Sequence, residues 1–121
     1  MAESILNGKS ILAVDDEPDV LATLEEEIMS TCPRYTFDKA TTYEKASEFI
    51  GTLTYDLIIL DIMGVRGFDL LGQAVIRHFP VFMLTTHALN PEALKRSIEM
   101  GARHIFLRKS RVRLFLFWRM C

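Results

Sequence analysis

Five short segments of the chain have the apolar pattern of β-strands, and segments with helical spacing separate them. The strand-like segments are residues 10–14, 35–38, 57–61, 81–84 and 104–107. Four of them are nearly unbroken apolar runs, which are typical of strands covered on both faces of a sheet. The second alternates apolar and polar residues, as a half-exposed edge strand does. The pattern therefore predicts five strands that alternate with helices.

Local start and stop signals mark the helices between these strands. The predicted helix starts lie near Pro18, Thr41, Phe68 and Pro91. Thr41 and Glu44 form a capping-box pattern, in which each side chain bonds the other residue's backbone N–H. Pro33 and Pro80 are expected to end the first and third helices, because proline cannot continue a helix. Gly101 suits the left-handed position that follows a helix C-terminus.

Alternating strands and helices predict the fold class. Such a chain forms an α/β fold, a doubly wound parallel sheet with helices on both faces and right-handed crossovers. Its 121 residues, 50% hydrophobic and 25% charged, suit one globular core. We therefore expect a single domain over residues 1–121, with a short lead at residues 1–8. Residues 110–121, dense in Leu, Phe and Arg, are expected to form an atypical apolar and basic final helix.

Composition narrows the compartment and the partners. The formal net charge of −2 gives no reason to expect direct nucleic-acid binding. The N-terminus lacks the pattern of a signal peptide, and no apolar run is long enough to cross a membrane. Cys32 and Cys121 show no metal-binding or redox spacing, so we interpret them as reduced thiols. A cytoplasmic protein is expected.

Chemically active residues follow the predicted strands. Asp15 and Asp16 follow the first strand, Asp61 ends the third, Thr85 or Thr86 ends the fourth, and Lys109 follows the fifth. A parallel sheet brings the carboxyl ends of its strands to one edge, where ligands bind in open α/β folds. We therefore expect three carboxylates, a hydroxyl and an ammonium group to meet there. An ordinary helix cap or turn would explain one or two of these acids, but not the whole set.

This set of groups suits a magnesium-dependent phosphoryl site. Two carboxylates about 4 Å apart repel each other by roughly 4 kcal/mol at an effective dielectric constant of about 20. Three need a cation or a shared proton to stay together. Mg²⁺ binds one or two carboxylates together with water and phosphate oxygens. A cation, an ammonium and a hydroxyl beside a carboxylate nucleophile supply what phosphoryl transfer needs.

At this point the residues resemble those of a known family. The matching segments are residues 11–17, 57–61, 83–86 and 101–102, together with Lys109. In this order and spacing they resemble the response-regulator receiver domain of two-component signal transduction, over nearly the whole chain. The resemblance implies a flavodoxin-like fold with strand order 2-1-3-4-5. It also implies a phosphoacceptor that changes conformation and controls a partner or output domain.

The resemblance assigns the acceptor and the metal ligands. Asp61 would accept a phosphoryl group from a sensor histidine kinase or a histidine phosphotransfer protein. Asp16 would bind Mg²⁺ directly and Asp15 largely through water, while Asp61 and the backbone carbonyl of Met63 would complete the protein ligands. Such a domain promotes only its own phosphorylation and dephosphorylation, so we do not expect an enzyme that turns over a free substrate.

The resemblance also assigns the remaining site residues and the partners. Thr85 takes the position whose hydroxyl follows the phosphoryl group, and Lys109 the position that pairs with phosphoryl oxygens. Phe106 takes the position of an aromatic switch residue. A downstream protein target is implied, and neither nucleic acid nor membrane is an expected direct partner. A homodimer through the fourth helix, fifth strand and final helix is a further hypothesis.

The chain departs from the family pattern beside these residues. Gly64 directly follows Met63, so the loop after Asp61 is about two residues shorter than usual before Gly67. Ser110 replaces the usual proline, and Thr86 replaces a small residue. The shortened loop and Ser110 motivate an alternative, a phosphate-independent pseudo-receiver that acts as an interaction module. A small phosphatase is disfavoured, because Met63 stands where a second, general-acid carboxylate would be needed.

The apolar and basic tail leaves three interpretations open. Residues 111–119 are more apolar than a helix with one buried face requires. They suit a core-packing final helix, a self-association surface, or a chain cut or frameshifted from a longer protein.

Overall fold

The computed structural model describes residues 9–31, 35–62, 64, 66–85 and 91–107. Five strands alternate with four helices in this part of the chain. The strands are β1 (Ser10–Val14), β2 (Thr36–Ala40), β3 (Leu57–Asp61), β4 (Val81–Thr85) and β5 (His104–Leu107). The helices are α1 (Pro18–Thr31), α2 (Tyr43–Thr52), α3 (Gly67–Ile76) and α4 (Pro91–Glu99). The expected final helix at residues 110–121, the lead at residues 1–8 and both cysteines lie outside the described residues.

The five strands form one parallel sheet in the order β2-β1-β3-β4-β5. This confirms the predicted α/β fold class and strand order. In the register of the sheet, Val14 lies opposite Leu60, and Asp61 lies opposite Leu84. The carboxyl ends of β1 and β3 are therefore level with each other, with β3 in the centre of the sheet. Whatever follows these two strands meets at one edge.

Alternating side chains of the strands build two cores, one on each face of the sheet. On one face Leu12, Ile58 and Met83 pack with residues of α2, α3 and α4. On the other face Ile11 and Ile59 pack with α1 through Leu21, Leu24 and Ile28. All five residues of β3 are buried, which is the reason its sequence shows no alternation. Full burial of a large aliphatic side chain contributes roughly 1.5–3 kcal/mol, so the four apolar residues of this strand contribute strongly to the stability of the sheet.

The start of α2 corrects the predicted cap. Thr42, in an extended conformation, is the N-cap, and its side-chain oxygen accepts a hydrogen bond from the Lys45 backbone N–H at 3.2 Å. The capping box between Thr41 and Glu44 was therefore wrong by one residue. The reason lies in β2, which continues to Ala40, two residues beyond the predicted strand, and so moves the first helical turn along the chain.

Two helices end in the same hydrogen-bonded turn, a Schellman motif. After α4, Gly101 has φ 114°, and the N–H of Ala102 donates to the carbonyl of Ser97 at 2.9 Å. Gly101 therefore occupies the predicted left-handed position. After α3, His78 has φ 63°, and the N–H of Phe79 donates to the carbonyl of Ala74 at 3.0 Å.

The prediction that Pro80 ends α3 was wrong. The helix ends at Ile76, and His78 makes the turn before the chain reaches the proline. Non-glycine residues rarely adopt a left-handed conformation, and histidine does so in only a small share of cases, so this turn was not predicted. Within the described residues, none of the helices is long and apolar enough to cross a lipid bilayer.

Candidate functional site

Three aspartates meet at the edge where the strands end. Asp15 and Asp16 follow β1, and Asp61 is the last residue of β3. One carboxylate oxygen of each residue lies within 4.8 Å of one carboxylate oxygen of the other two. Asp15 and Asp61 are buried, with 0% and 6% of their surfaces exposed, whereas Asp16 is exposed. The cluster is thus anchored in the protein on one side and open to solvent on the other.

The loop after β1 is shaped by the side chain of Asp15. The backbone N–H of Asp15 donates to the carbonyl of Ala40 at 3.1 Å, which extends the pairing of β1 with β2. One oxygen of its carboxylate accepts a hydrogen bond from the backbone N–H of Glu17 at 2.9 Å. This local turn, typical of aspartate, leads the chain into α1 at Pro18. Asp15 therefore stabilises the loop and places Asp16 on its outer side.

The loop after β3 is held by backbone contacts. The N–H of Ile62 donates to the carbonyl of Leu84 at 2.9 Å, so the chain stays attached to β4 just beyond Asp61. The N–H of Gly67 donates to the carbonyl of Gly64 at 3.0 Å and closes a tight turn. These bonds return the chain to the sheet edge, where α3 begins.

Both glycines of this loop are in close contact with the site. A Cβ atom built on Gly64 would overlap Oδ2 of Asp61 and would lie 3.3 Å from Oδ1 of Asp16. A Cβ atom on Gly67 would overlap the backbone carbonyl oxygen of Asp61 and lie 2.7 Å from that of Ile62. The sequence showed that the loop is short, but the contact of Gly64 with the carboxylates became visible only in three dimensions.

The arginine of this loop contacts Asp69 and Tyr43. Arg66 has φ 56° and donates from Nε to Oδ2 of Asp69 at 2.8 Å. Its guanidinium also lies 3.9 Å from the ring centre of Tyr43 at the start of α2. The hydrogen bond to Asp69 is the main cause that raises the pKa of Arg66. Arg66 thus joins the loop to α2 and α3 on their exposed side.

The aspartate cluster fits a hard divalent cation. Mg²⁺ binds oxygen ligands at about 2.1 Å in octahedral geometry, so adjacent ligand oxygens lie about 3 Å apart and opposite ones about 4 Å apart. One carboxylate oxygen of each aspartate lies within 4.8 Å of the other two, which is close to that spacing. Because these oxygens carry negative charge and one carboxylate is exposed, a cation could bind from solvent and offset their repulsion.

The other predicted site residues are described only in part or not at all. Thr85 is the last residue of β4 and lies opposite Leu107, and Phe106 lies opposite Leu84 in β5. Of their side chains nothing is described. Met63, Thr86, Lys109 and Ser110 lie outside the described residues. The structure therefore brings together Asp15, Asp16 and Asp61, and it places the backbone of Thr85 at the same edge.

Comparisons with known proteins agree on one family. The family model described as "Response regulator receiver domain" matches residues 11–114. The chain is similar to a CheY-like receiver domain protein of Methanospirillum hungatei, with 24% identity, a TM-score of 0.78, and coverage of 90% of this chain and 88% of that one. No curated protein matches the chain.

Two further solved structures are more similar in sequence. The non-phosphorylated HemR receiver domain of Leptospira biflexa is 28% identical, with a TM-score of 0.74 and coverage of 93% of each chain. The response regulator TrrA of Thermotoga maritima, solved in complex with Mg²⁺ and BeF, is 27% identical. Its TM-score is 0.76, and the match covers 93% of this chain and 99% of that one.

Proposed function

The chain belongs to the family of response regulator receiver domains, and from that premise we propose that it is a phosphoacceptor of two-component signalling with Asp61 as the acceptor. The observation that carries the proposal is the convergence of Asp15, Asp16 and Asp61 at one edge of the sheet. Asp61 is the last residue of the central, fully buried strand, so the backbone of the sheet holds the proposed acceptor in place.

In the proposed reaction a carboxylate oxygen of Asp61 attacks phosphorus. The donor is a phosphohistidine of a sensor kinase or a histidine phosphotransfer protein. As the new O–P bond forms, the P–N bond of the donor breaks, and its electron pair remains on the imidazole nitrogen. Mg²⁺ would offset the charge of the phosphoryl oxygens, and Asp15, Asp16, Asp61 and the carbonyl of Met63 would hold it.

The remaining roles follow from residue type and position. Lys109 would pair with phosphoryl oxygens, and the hydroxyl of Thr85 would bind one of them once the group is attached. The added charge of about −1.5 to −2 would favour a second conformation, with Thr85 and Phe106 as the switch residues. The domain would act in the cytoplasm on a downstream protein, and it would carry a phosphoryl group without turning over a free substrate.

Incubation with acetyl phosphate and Mg²⁺, followed by intact-mass measurement, tests this proposal. We expect the wild type to gain the mass of one phosphoryl group, and no gain without Mg²⁺. Asp61→Asn should remain unmodified. Asp19→Asn, which removes an exposed carboxylate in the first turn of α1, is the matched control and should be modified like the wild type. An unmodified wild type, or an equal yield in Asp61→Asn, would contradict the proposal.

One observation favours a second candidate, the phosphate-independent interaction module. The backbone at Gly64 lies so close to Asp61 and Asp16 that it reduces the space for a phosphoryl group on one side of the cluster. If this closeness excludes a phosphoryl group, Mg²⁺ with beryllofluoride, a phosphoryl mimic, should leave the melting temperature unchanged. A rise in melting temperature in the wild type that is absent in Asp61→Asn would instead support the phosphoacceptor.

A further inference from the structure

Gly64 lies in the short loop beside the carboxylate cluster, and its missing side chain matters for two residues at once. The nearest atom to a Cβ at this position would be Oδ2 of Asp61, and Oδ1 of Asp16 would follow at 3.3 Å. Its φ lies outside the left-handed range, so the backbone itself would accept an L-amino acid. The need for glycine here therefore comes from the space next to the two carboxylates, and not from the backbone conformation.

Gly67, three residues later, differs in what a side chain would meet. A Cβ there would overlap backbone carbonyl oxygens of Asp61 and Ile62, which cannot move without moving β3. Gly67 is also buried at the first position of α3. A side chain at Gly67 would therefore act on the fold, whereas one at Gly64 would act on the ends of two side chains.

The loop that contains Gly64 has little freedom to move away from the carboxylates. The carbonyl of Gly64 accepts a hydrogen bond from the N–H of Gly67 at 3.0 Å. Gly67 in turn packs directly against the backbone at Asp61 and Ile62. Because the loop is fixed at both points, a Cβ on Gly64 would be accommodated by rotation of the Asp61 carboxylate. That group is buried and is close to the other two carboxylates, so its rotation would change the spacing of the whole cluster.

We propose that Gly64 is a positioning residue of the phosphoacceptor site. Because it has no side chain, the carboxylates of Asp61 and Asp16 keep the spacing that metal binding requires. The inference deepens the proposed function and rests on it. In this chain the loop is short enough for its backbone to form the wall beside the acceptor. Any side chain at position 64 then lowers metal binding and phosphorylation while it leaves the fold intact.

The first test compares Gly64→Ala with Gly51→Ala in the full chain. Gly51 lies in the last turn of α2, where a Cβ would meet nothing within 4 Å, so this variant controls for the general effect of glycine replacement. We expect both variants to fold, as judged by circular dichroism and urea unfolding. Isothermal titration with Mg²⁺ should show an affinity reduced by about 10- to 100-fold in Gly64→Ala, the usual range for residues that orient metal ligands. Gly51→Ala should bind Mg²⁺ as the wild type does.

The second test is independent of metal and of phosphate. The effect of Gly64→Ala on the urea midpoint is measured without Mg²⁺, both in the wild type and in Asp61→Ala, which removes Oδ2. If the alanine displaces the Asp61 carboxylate, its effect is more destabilising in the wild type than in Asp61→Ala. Equal effects in the two backgrounds would overturn the positioning role, and so would a Gly64→Ala protein that does not fold.

The two tests separate the inference from the proposed function. If the wild type neither binds Mg²⁺ nor accepts a phosphoryl group, the proposed function fails and the functional part of this inference fails with it. The contact of Gly64 with Asp61 is still decided by the double-mutant comparison. If the wild type is active and Gly64→Ala equals it in Mg²⁺ affinity and in its rate of modification by acetyl phosphate, only the inference is overturned.

Discussion

The edge of the sheet where the strands end differs from the edge where they begin in how charges are arranged. We call the first the carboxyl edge; it carries Asp15, Asp16, Asp61 and Gly64. There one carboxylate oxygen of each of the three aspartates lies within 4.8 Å of the other two. We call the second the amino edge; its described residues include Lys9, Asp56, Arg77, His78 and Gly101. At the amino edge, by contrast, cations and N–H donors contact carboxylates and carbonyl oxygens.

Complementary contacts at the amino edge join strands and helix ends. Asp56 lies 3.9 Å from Lys9 and accepts a hydrogen bond from the N–H of Ser10 at 2.8 Å. Arg77 donates to the carbonyls of Ile50 and Gly51 at 3.0 and 2.8 Å. These two carbonyls lie at the C-terminus of α2, where the helix dipole favours a cation.

The difference teaches where this protein places stability and where it places chemistry. We expect repulsion among the three carboxylates at the carboxyl edge to lower the stability of the metal-free fold, and a bound cation would reverse that effect. The amino edge contributes to stability without taking part in the proposed reaction. Substitutions at the two edges should therefore change stability and Mg²⁺ binding independently, and the next three experiments test this separation in order of decreasing effect.

Gly101→Ala should produce the largest effect, at the amino edge. The residue has φ 114°, and a Cβ would lie 3.1 Å from a methyl group of Val75. We expect a loss of about 3 kcal/mol in the free energy of unfolding, from backbone strain together with overpacking. Urea unfolding measures this loss. Gly72→Ala is the control, because its Cβ would meet only Met100, at 4.0 Å; Mg²⁺ affinity should be unchanged in both variants.

Asp61→Asn should have the opposite sign, because it lies at the carboxyl edge. Removing one of three neighbouring charges relieves repulsion, so the metal-free protein should become more stable by about 1 kcal/mol or more. Urea unfolding in the presence of a chelator checks this. The wild type should gain about 2.7 kcal/mol when Mg²⁺ is present at about 100 times its dissociation constant, whereas Asp61→Asn should gain far less. A less stable metal-free Asp61→Asn would break the comparison between the edges.

His78→Gly should give the smallest effect and would show that the amino edge is not fully optimised. His78 and Gly101 occupy equivalent positions in their turns, but only Gly101 has no Cβ. Because a left-handed conformation costs a residue with a Cβ roughly 1–2 kcal/mol relative to glycine, and glycine loses more entropy on folding, we expect a net gain of about 1 kcal/mol. Thermal unfolding measures this gain. A lower melting temperature would mean that the histidine side chain stabilises this turn.

Much of the fold was predictable because it depends on local pattern. The unbroken apolar run of β3 predicted a strand buried on both faces, and burial of all its residues follows directly. Gly101 was predictable as the end of α4, since few residues other than glycine adopt its backbone conformation. Thr41 and Thr42 could not be told apart, because the cap depends on where β2 leaves the sheet. His78 carried only a weak signal, since histidine is enriched among non-glycine residues at positive φ but adopts that conformation in few cases.

The sequence by itself determined the order of the strands and helices and placed an aspartate at the end of the central strand. Both follow from local pattern, because apolar runs alternate with segments of helical spacing along the chain. Only the tertiary structure decided how close Asp15, Asp16 and Asp61 come to one another, and that Gly64 lies against two of these carboxylates. These are contacts between residues on different strands and loops. Their distances are set by the register of β1 and β3 and by a turn packed against the backbone of Asp61, and no local pattern encodes those.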